Sequence, residues 1–204
     1  MESRTPATAR EADPEEAQLL VRAQRGNLFA FEEIVRRYQR RVYAVALRIV
    51  RRHDVADDVA QEAFVRAHRN LAGFDSTRPF GPWIARIAAN LALNHLRSPV
   101  AREQELPEGH AEQAASAPDP LVEVLDDEAR RVLARALDEL PAEQRAVFVL
   151  RVHEELSYKE IAEALGVAQG TVMSRLFRAR ERLRESLQPY LGSALRGRGQ
   201  RVHP

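Results

Sequence analysis

Cysteine is absent from the chain. Disulfides and thiolate metal sites are therefore excluded, and a reducing compartment is compatible with the composition. Also missing is any apolar run approaching the roughly 20 residues that span a bilayer. The opening segment, MESRTPATAREADPEE, lacks the apolar core of a signal peptide, so a soluble, cytoplasmic protein is expected. His53, His68, His95, His110, His153 and His203 are scattered, and no second His or acid stands at metal-ligand spacing from His95. With no nucleophile–base pair and no phosphate-cradling glycine loop, the reading is of a protein that is not an enzyme and has no metal, cofactor or small-molecule substrate. No segment reads convincingly as a strand and no internal repeat is visible.

What is present is charge, unevenly placed. The net charge is +1 over 204 residues, weak for a nucleic-acid binder, but the total hides an asymmetry. Residues 36–53 hold seven arginines and no acid, residues 169–184 hold five arginines against Glu181, and residues 98–128 hold nine acids against Arg102. Basic lobes thus flank an acidic middle, and the sum says little about partners.

The segment LSYKEIAEALGVAQGTVMSRLFRARERL, residues 156–183, reads as a helix-turn-helix. Ser157 followed by Glu160 is a capping box. Ile161, Ala162 and Leu165 share one side of the first helix, and Gly166 permits the left-handed turn after it. In the second helix Val172, Leu176, Ala179 and Leu183 form the inward stripe. The opposite face carries Gly170, Ser174, Phe177 and Arg178, with Arg175 on the flank. An outward Phe beside Arg and Ser suits a helix lying in a DNA major groove. A merely solvated amphipathic helix, or a helix-turn-helix that contacts protein, are the blander alternatives.

The organisation expected along the chain is all-α. Residues 1–14 form a polar, disordered tail, and 15–97 a helical domain. Residues 98–120, with Pro99, Pro107, Pro118 and Pro120, are an acidic flexible linker. A second helical domain spans 121–191, and 192–204 is a flexible tail. In the first domain, helices are expected over 15–25, 28–52, 55–70 with Asp54 as cap, and from Pro82 to Arg97, with loop chemistry from Leu71 to Pro79. Helix 55–70 buries Val55, Val59, Ala60, Ala63, Phe64 and Ala67 and leaves Asp57, Asp58, Gln61 and Glu62 exposed. An ordinary solvated face, favoured by the helix dipole, covers the two aspartates better than Gln61 and Glu62. On helix 82–97, Ile84, Ile87, Ala88, Leu91 and His95 face inward, His95 as a core-edge histidine. Trp83, Arg86, Asn90, Leu93, Asn94 and Arg97 face the other way. Exposed aromatic, Arg and Asn together suit unpaired bases, although Trp83 fits equally well as a plug between helices.

The order of these parts resembles a bacterial RNA polymerase sigma factor of the extracytoplasmic function (ECF) group. DDVAQEAFVRAHRNL at 57–71 and WIARIAANLALNHLR at 83–97 resemble sigma region 2; 140–183 resembles region 4. The resemblance covers about 25–97 and 127–187 and implies a factor that binds core RNA polymerase and directs promoter recognition, melting and initiation at a stress- or signal-responsive regulon. It implies that Asp58, Gln61 and Glu62 dock on the clamp helices of the β′ subunit, with a further contact to β. It implies that Phe74, Trp83, Arg86 and Asn90, with the 73–80 loop, handle the melted minus-ten strand. Thr171, Ser174, Arg175, Phe177 and Arg178 would read the duplex minus-thirty-five element. An anti-sigma factor is implied as a further partner. Many relatives carry a basic residue where this chain has Met173, which cannot form a bidentate bond to guanine, so the minus-thirty-five preference is expected to differ. The linker acids are expected to mimic nucleic acid in the polymerase channels or to act as a plain solubilising tether. Two rival readings are a dimeric repressor, which needs a self-complementary face, and a nucleic-acid enzyme, which needs a metal cluster.

Overall fold

A computed structural model describes the backbone of residues 13–98 and 127–198 and the side chains of 13–98 and 131–189. The expectations for the N-terminal tail, the linker from 99 on and the segment 121–126 lie outside the described residues. Among those described there are eight α-helices and no strand. They are α1 (Pro14–Gln24), α2 (Leu28–Val50), α3 (His53–Asn70), α4 (Phe80–Arg97), α5 (Asp127–Asp138), α6 (Ala142–Val152), α7 (Tyr158–Leu165) and α8 (Gln169–Arg198). A single 3-10 turn, Leu71–Gly73, follows α3. No helix among the described residues is long and apolar enough to cross a membrane.

The first domain forms around α2. Its stripe of Ile34, Tyr38, Val42, Val45, Ala46 and Ile49 is buried, as a 3.6-residue repeat of apolar positions requires. α1, α3 and α4 pack on it, and α3 packs on α4. Asn27 begins α2 by accepting the Ala30 N–H at 3.0 Å, the usual role of a short polar side chain at a helix start. In the second domain α8 is the spine on which α5, α6 and α7 pack. Its stripe, Val172, Leu176, Ala179 and Leu183, is buried throughout.

Three boundaries depart from expectation, each for a physical reason. Asp54 is not the cap of α3: the helix begins at His53 behind Arg52, which makes no side-chain capping bond. The Asp54 carboxylate is taken instead by the Arg52 guanidinium, at 3.2 and 2.5 Å. α4 starts at Phe80 rather than Pro82, because Glu16 of α1 accepts the Phe80 N–H at 2.7 Å. α8 is helical to Arg198, past Pro189, so the flexible tail expected from Gly192 is helix up to that residue.

The two domains also pack on each other. α2 lies against α6, and α4 against α6 and α7.

Candidate nucleic-acid interface

The helix-turn-helix has the local chemistry its sequence dictates. The Ser157 hydroxyl accepts the Glu160 N–H at 3.2 Å while Glu160 accepts the Ser157 N–H at 2.9 Å, closing the capping box. Gly166 ends α7 at φ 64°, a backbone state that costs other residues roughly 1–2 kcal/mol. α8 then leaves Ser174 and Arg178 exposed, with Met173 52% and Phe177 66% exposed. Thr171 and Arg175 are half-buried. Ser174 Oγ donates to the Thr171 carbonyl at 3.0 Å, tying its hydroxyl to its own helix. An exposed Phe flanked by Ser and Arg, on a helix whose other side is packed, offers thymine-methyl and phosphate contacts together.

The face formed by α4 and the loop before it is different. Trp83 is not an open platform. Its ring lies 4.5 Å from Phe74 and 5.3 Å from Phe80, centroid to centroid, and both Phe74 and Trp83 are half-buried against the core. The gap-plugging alternative describes its body; only part of the ring meets solvent. Leu93, expected on the outer face, is 3% exposed. Arg86 donates to Glu160 at 2.6 Å, and Asn90 donates its amide to the Ala164 carbonyl. Both partners belong to α7. The outer face of α4 is therefore covered by the second domain. Ordinary amphipathic reasoning misses this because it allots each helix one buried side. Asn94 and Arg97 remain exposed, and Arg97 meets Glu143 at 3.3 Å. In the loop, Asp75 accepts from the Thr77 hydroxyl and N–H at 2.7 and 3.0 Å; with Arg78 alongside, these bonds hold its carboxyl below the usual range.

The seam between domains contains residues that sequence reasoning did not single out. Arg145 is 7% exposed. It gives two bonds to the Ile49 carbonyl, at 2.9 and 2.7 Å, and one each to the Asp138 and Leu140 carbonyls at 3.0 Å. It thereby satisfies a carbonyl that α2 leaves unpaired at its C-terminal end. Burial, and secondarily the nearby Arg51, push its pKa down to about 10. Asp138 pairs with Arg51; burial outweighs that cation and raises the Asp138 carboxyl. Glu154, 5% exposed, holds Arg41 at 2.7 Å. Among the described residues, the non-glycine residues in left-handed backbone are Arg51 (φ 62°) and Glu155 (φ 54°), one in and one beside these pairs. Strain of that kind persists where surrounding structure fixes it. Arg145 carried one sequence signal: it stands alone against the apolar run AVFVL, which is buried along its whole length.

The basic stretch 36–53 is largely neutralised in place. Arg36 meets Glu32 and Glu33, Arg37 meets Asp13 and Glu15, and Arg41, Arg51 and Arg52 are paired as above. On α3, Asp57, Asp58 and Gln61 are exposed, and Glu62 is half-buried with Arg66 at 2.7 Å. Val65, 43% exposed, lies one turn on. No cluster of His, Asp and Glu suited to a metal ion occurs among the described residues.

Comparison with known proteins adds two family matches and several relatives. Residues 34–101 match the family model of Sigma-70 region 2, and 130–183 that of Sigma-70, region 4. The RNA polymerase sigma-H factor of Pseudomonas aeruginosa is 38% identical over 190 residues, covering 88% of this chain and 97% of the relative. The ECF RNA polymerase sigma-E factor of Escherichia coli K12 is 38% identical over 183 residues, covering 85% and 94%. Among solved structures, the sigma factor RpoE of Bartonella quintana in complex with the anti-sigma factor NepR superposes with a TM-score of 0.59 at 25% identity, covering 78% of this chain and 96% of that one. CnrH in complex with the cytosolic domain of CnrY superposes at 0.58 and 27%, covering 85% and 97%.

Proposed function

This chain belongs to the ECF group of the sigma-70 family, non-catalytic factors that direct RNA polymerase to chosen promoters, and from that premise we propose how its surfaces divide the work. Asp58, Gln61 and Glu62 of α3 dock on the clamp helices of the polymerase β′ subunit, and the second domain reaches the β subunit. Phe74, Trp83, Arg86 and Asn90, with the loop before α4, hold the melted minus-ten strand. Thr171, Ser174, Arg175, Phe177 and Arg178 of α8 read the minus-thirty-five duplex. The observation that carries this reading is the exposed α8 face, with Phe177 66% exposed between Ser174 and Arg178, joined in one chain to a second face of Arg, Asn and aromatic side chains on α4.

The closed docking of the domains bears on mechanism. Arg86 and Asn90 are engaged by α7, so the minus-ten strand reaches them only when α7 leaves α4. Polymerase binding supplies that separation by fixing each domain at its own subunit. Two weak DNA contacts then act as one strong one through the tether. Unstacking costs a few kcal/mol per base, and a base pocket offsets this only where the sequence fits. An anti-sigma protein is the natural antagonist, acting in the cytoplasm where the polymerase works, and release from it would answer a stress or other signal. The anti-sigma-bound Bartonella relative supports that assignment.

The test is run-off transcription with purified core polymerase, using wild type and the double variant Gln61→Ala/Glu62→Arg. Promoter-dependent transcripts should need the wild-type protein and disappear with the variant. Specific duplex binding by the protein alone, without core binding or transcripts, would leave a conventional repressor or activator.

A further inference from the structure

α1 lies outside the span matched by the region 2 family model, which begins at residue 34, and the proposed division of surfaces gives it no role. Two of its side chains nevertheless reach across the fold to both ends of the loop before α4. Glu16 is 6% exposed. Its carboxylate accepts the Tyr38 hydroxyl at 2.5 Å and the Phe80 N–H at 2.7 Å. Pro79, which precedes α4, makes no side-chain capping bond. A helix start with no local cap leaves donors unpaired and favours a nearby anion. Glu16 supplies that cap from 64 residues away. Burial, then the bond to Glu16, raise the Tyr38 hydroxyl above its ordinary value, consistent with Tyr38 as the donor.

Gln24 acts on the other end. Its side-chain amide nitrogen donates to the Leu71 carbonyl at 2.9 Å and to the Phe74 carbonyl at 2.6 Å. These two carbonyls bracket the 3-10 turn that leads into the loop. Phe74 is also the residue stacked on Trp83. The start of α4 is seated as closely. A Cβ on Gly81 would collide with the Arg41 guanidinium and come within 3.0 Å of the Tyr38 ring. Both ends of the loop are therefore fixed by α1 and α2, while its middle, with Gly73, Asp75, Thr77 and Arg78, is exposed.

We propose that Gln24 and Glu16 are positioning residues for minus-ten recognition: α1 is a brace that sets the height of the loop and the pitch of Phe74 over Trp83, and so the shape of the pocket for an unstacked base. The inference rests on the minus-ten reading above. Glu16, Leu20 and Ala23 share the buried side of α1, so the charge on that stripe was a visible sign of a remote partner.

Gln24→Met tests it, because Met keeps about the length and volume of Gln and loses the amide that donates to both carbonyls. The assay compares run-off transcripts from the mapped promoter with those from promoters substituted at single minus-ten positions. The wild type gives a discrimination ratio, and affinity for core polymerase is measured alongside. In Gln24→Met the ratio should fall by about tenfold, the scale of two neutral hydrogen bonds, with core affinity unchanged. Emission from Trp83, the chain's one tryptophan, should shift as Phe74 moves. Glu16→Gln retains one acceptor and should lose less discrimination than Glu16→Ala. A merely structural role would lower thermal stability and core affinity while leaving the ratio intact, and that result would overturn the brace. If wild type itself shows no minus-ten discrimination, the division of surfaces has failed and the brace fails with it.

Discussion

α8 holds Ser174, Phe177 and Arg178 out to solvent, whereas α4 has Arg86 and Asn90 bonded to the other domain. The two faces carry related chemistry and differ in what surrounds them. α8 is packed on one side by α5, α6 and α7, so its outer side has no neighbour among the described residues. α4 sits between its own domain and the second one and has neighbours on both sides. In the proposed division, the face assigned to the duplex is thus available in the closed molecule, and the face assigned to the melted strand is withheld until the domains part. That order suits initiation, in which duplex contact precedes melting.

The largest expected disturbance of this contrast is at Arg145. Arg145→Met would leave the Ile49 carbonyl without its guanidinium and weaken the closed arrangement by about 1.5–3 kcal/mol, the range for hydrogen bonds to a charged group. Because the chain has no cysteine, Arg69→Cys and Arg182→Cys give clean sites for a fluorescent pair. Energy transfer between the labels should drop in the Met variant and binding of single-stranded minus-ten DNA by the free protein should rise; unchanged transfer would show that the seam does not depend on Arg145. A sharper contrast comes from Phe177→Ala. Its exposure predicts a stability change within about 0.5 kcal/mol, yet transcription that depends on the minus-thirty-five element should fall roughly tenfold, as for loss of a base contact. Equal transcription from the variant would remove Phe177 from the reading face.

The smallest effect concerns pH. Burial alone would raise the Glu160 carboxyl, but the Ser157 N–H and hydroxyl and the Arg86 cation together hold it below its ordinary value of 4.5. A carboxyl lowered in the folded state adds stability that is fully present above the ordinary value and is lost as pH falls through the folded one. Thermal melts should therefore show a shallow acid-side loss below pH 4.5, reduced in Glu160→Gln. A variant with the same acid limb as wild type would show that Glu160 does not supply it.

Most of the helices were legible in the residue order, and the reasons are local. The Ser157–Glu160 box, Gly166 and the Val172–Leu183 stripe act over three to four residues, within one turn of a helix. α2 and α3 were legible for the same reason. The boundaries that moved did so through distant partners: Glu16 extended α4 backward, and Arg52 drew Asp54 away from capping. The candidate site divides likewise. Ser174, Phe177 and Arg178 stand exposed where periodicity placed them. Trp83, Leu93, Arg86 and Asn90 carry the predicted register on α4 but not the predicted exposure, because periodicity assigns a face without saying what will cover it.

The sequence by itself determined an all-α chain, the helix-turn-helix with its outward Phe177, and the acidic and amide side of α3. Each follows from side-chain spacing and capping chemistry that act within a few residues. Only the tertiary structure decided that the second domain lies over Arg86 and Asn90, that Arg145 serves the Ile49 carbonyl, and that Glu16 and Gln24 fix a loop 47 to 64 residues away. Those partners meet because buried polar groups must find donors and acceptors wherever the packed helices bring them, and that meeting is a property of the assembled fold.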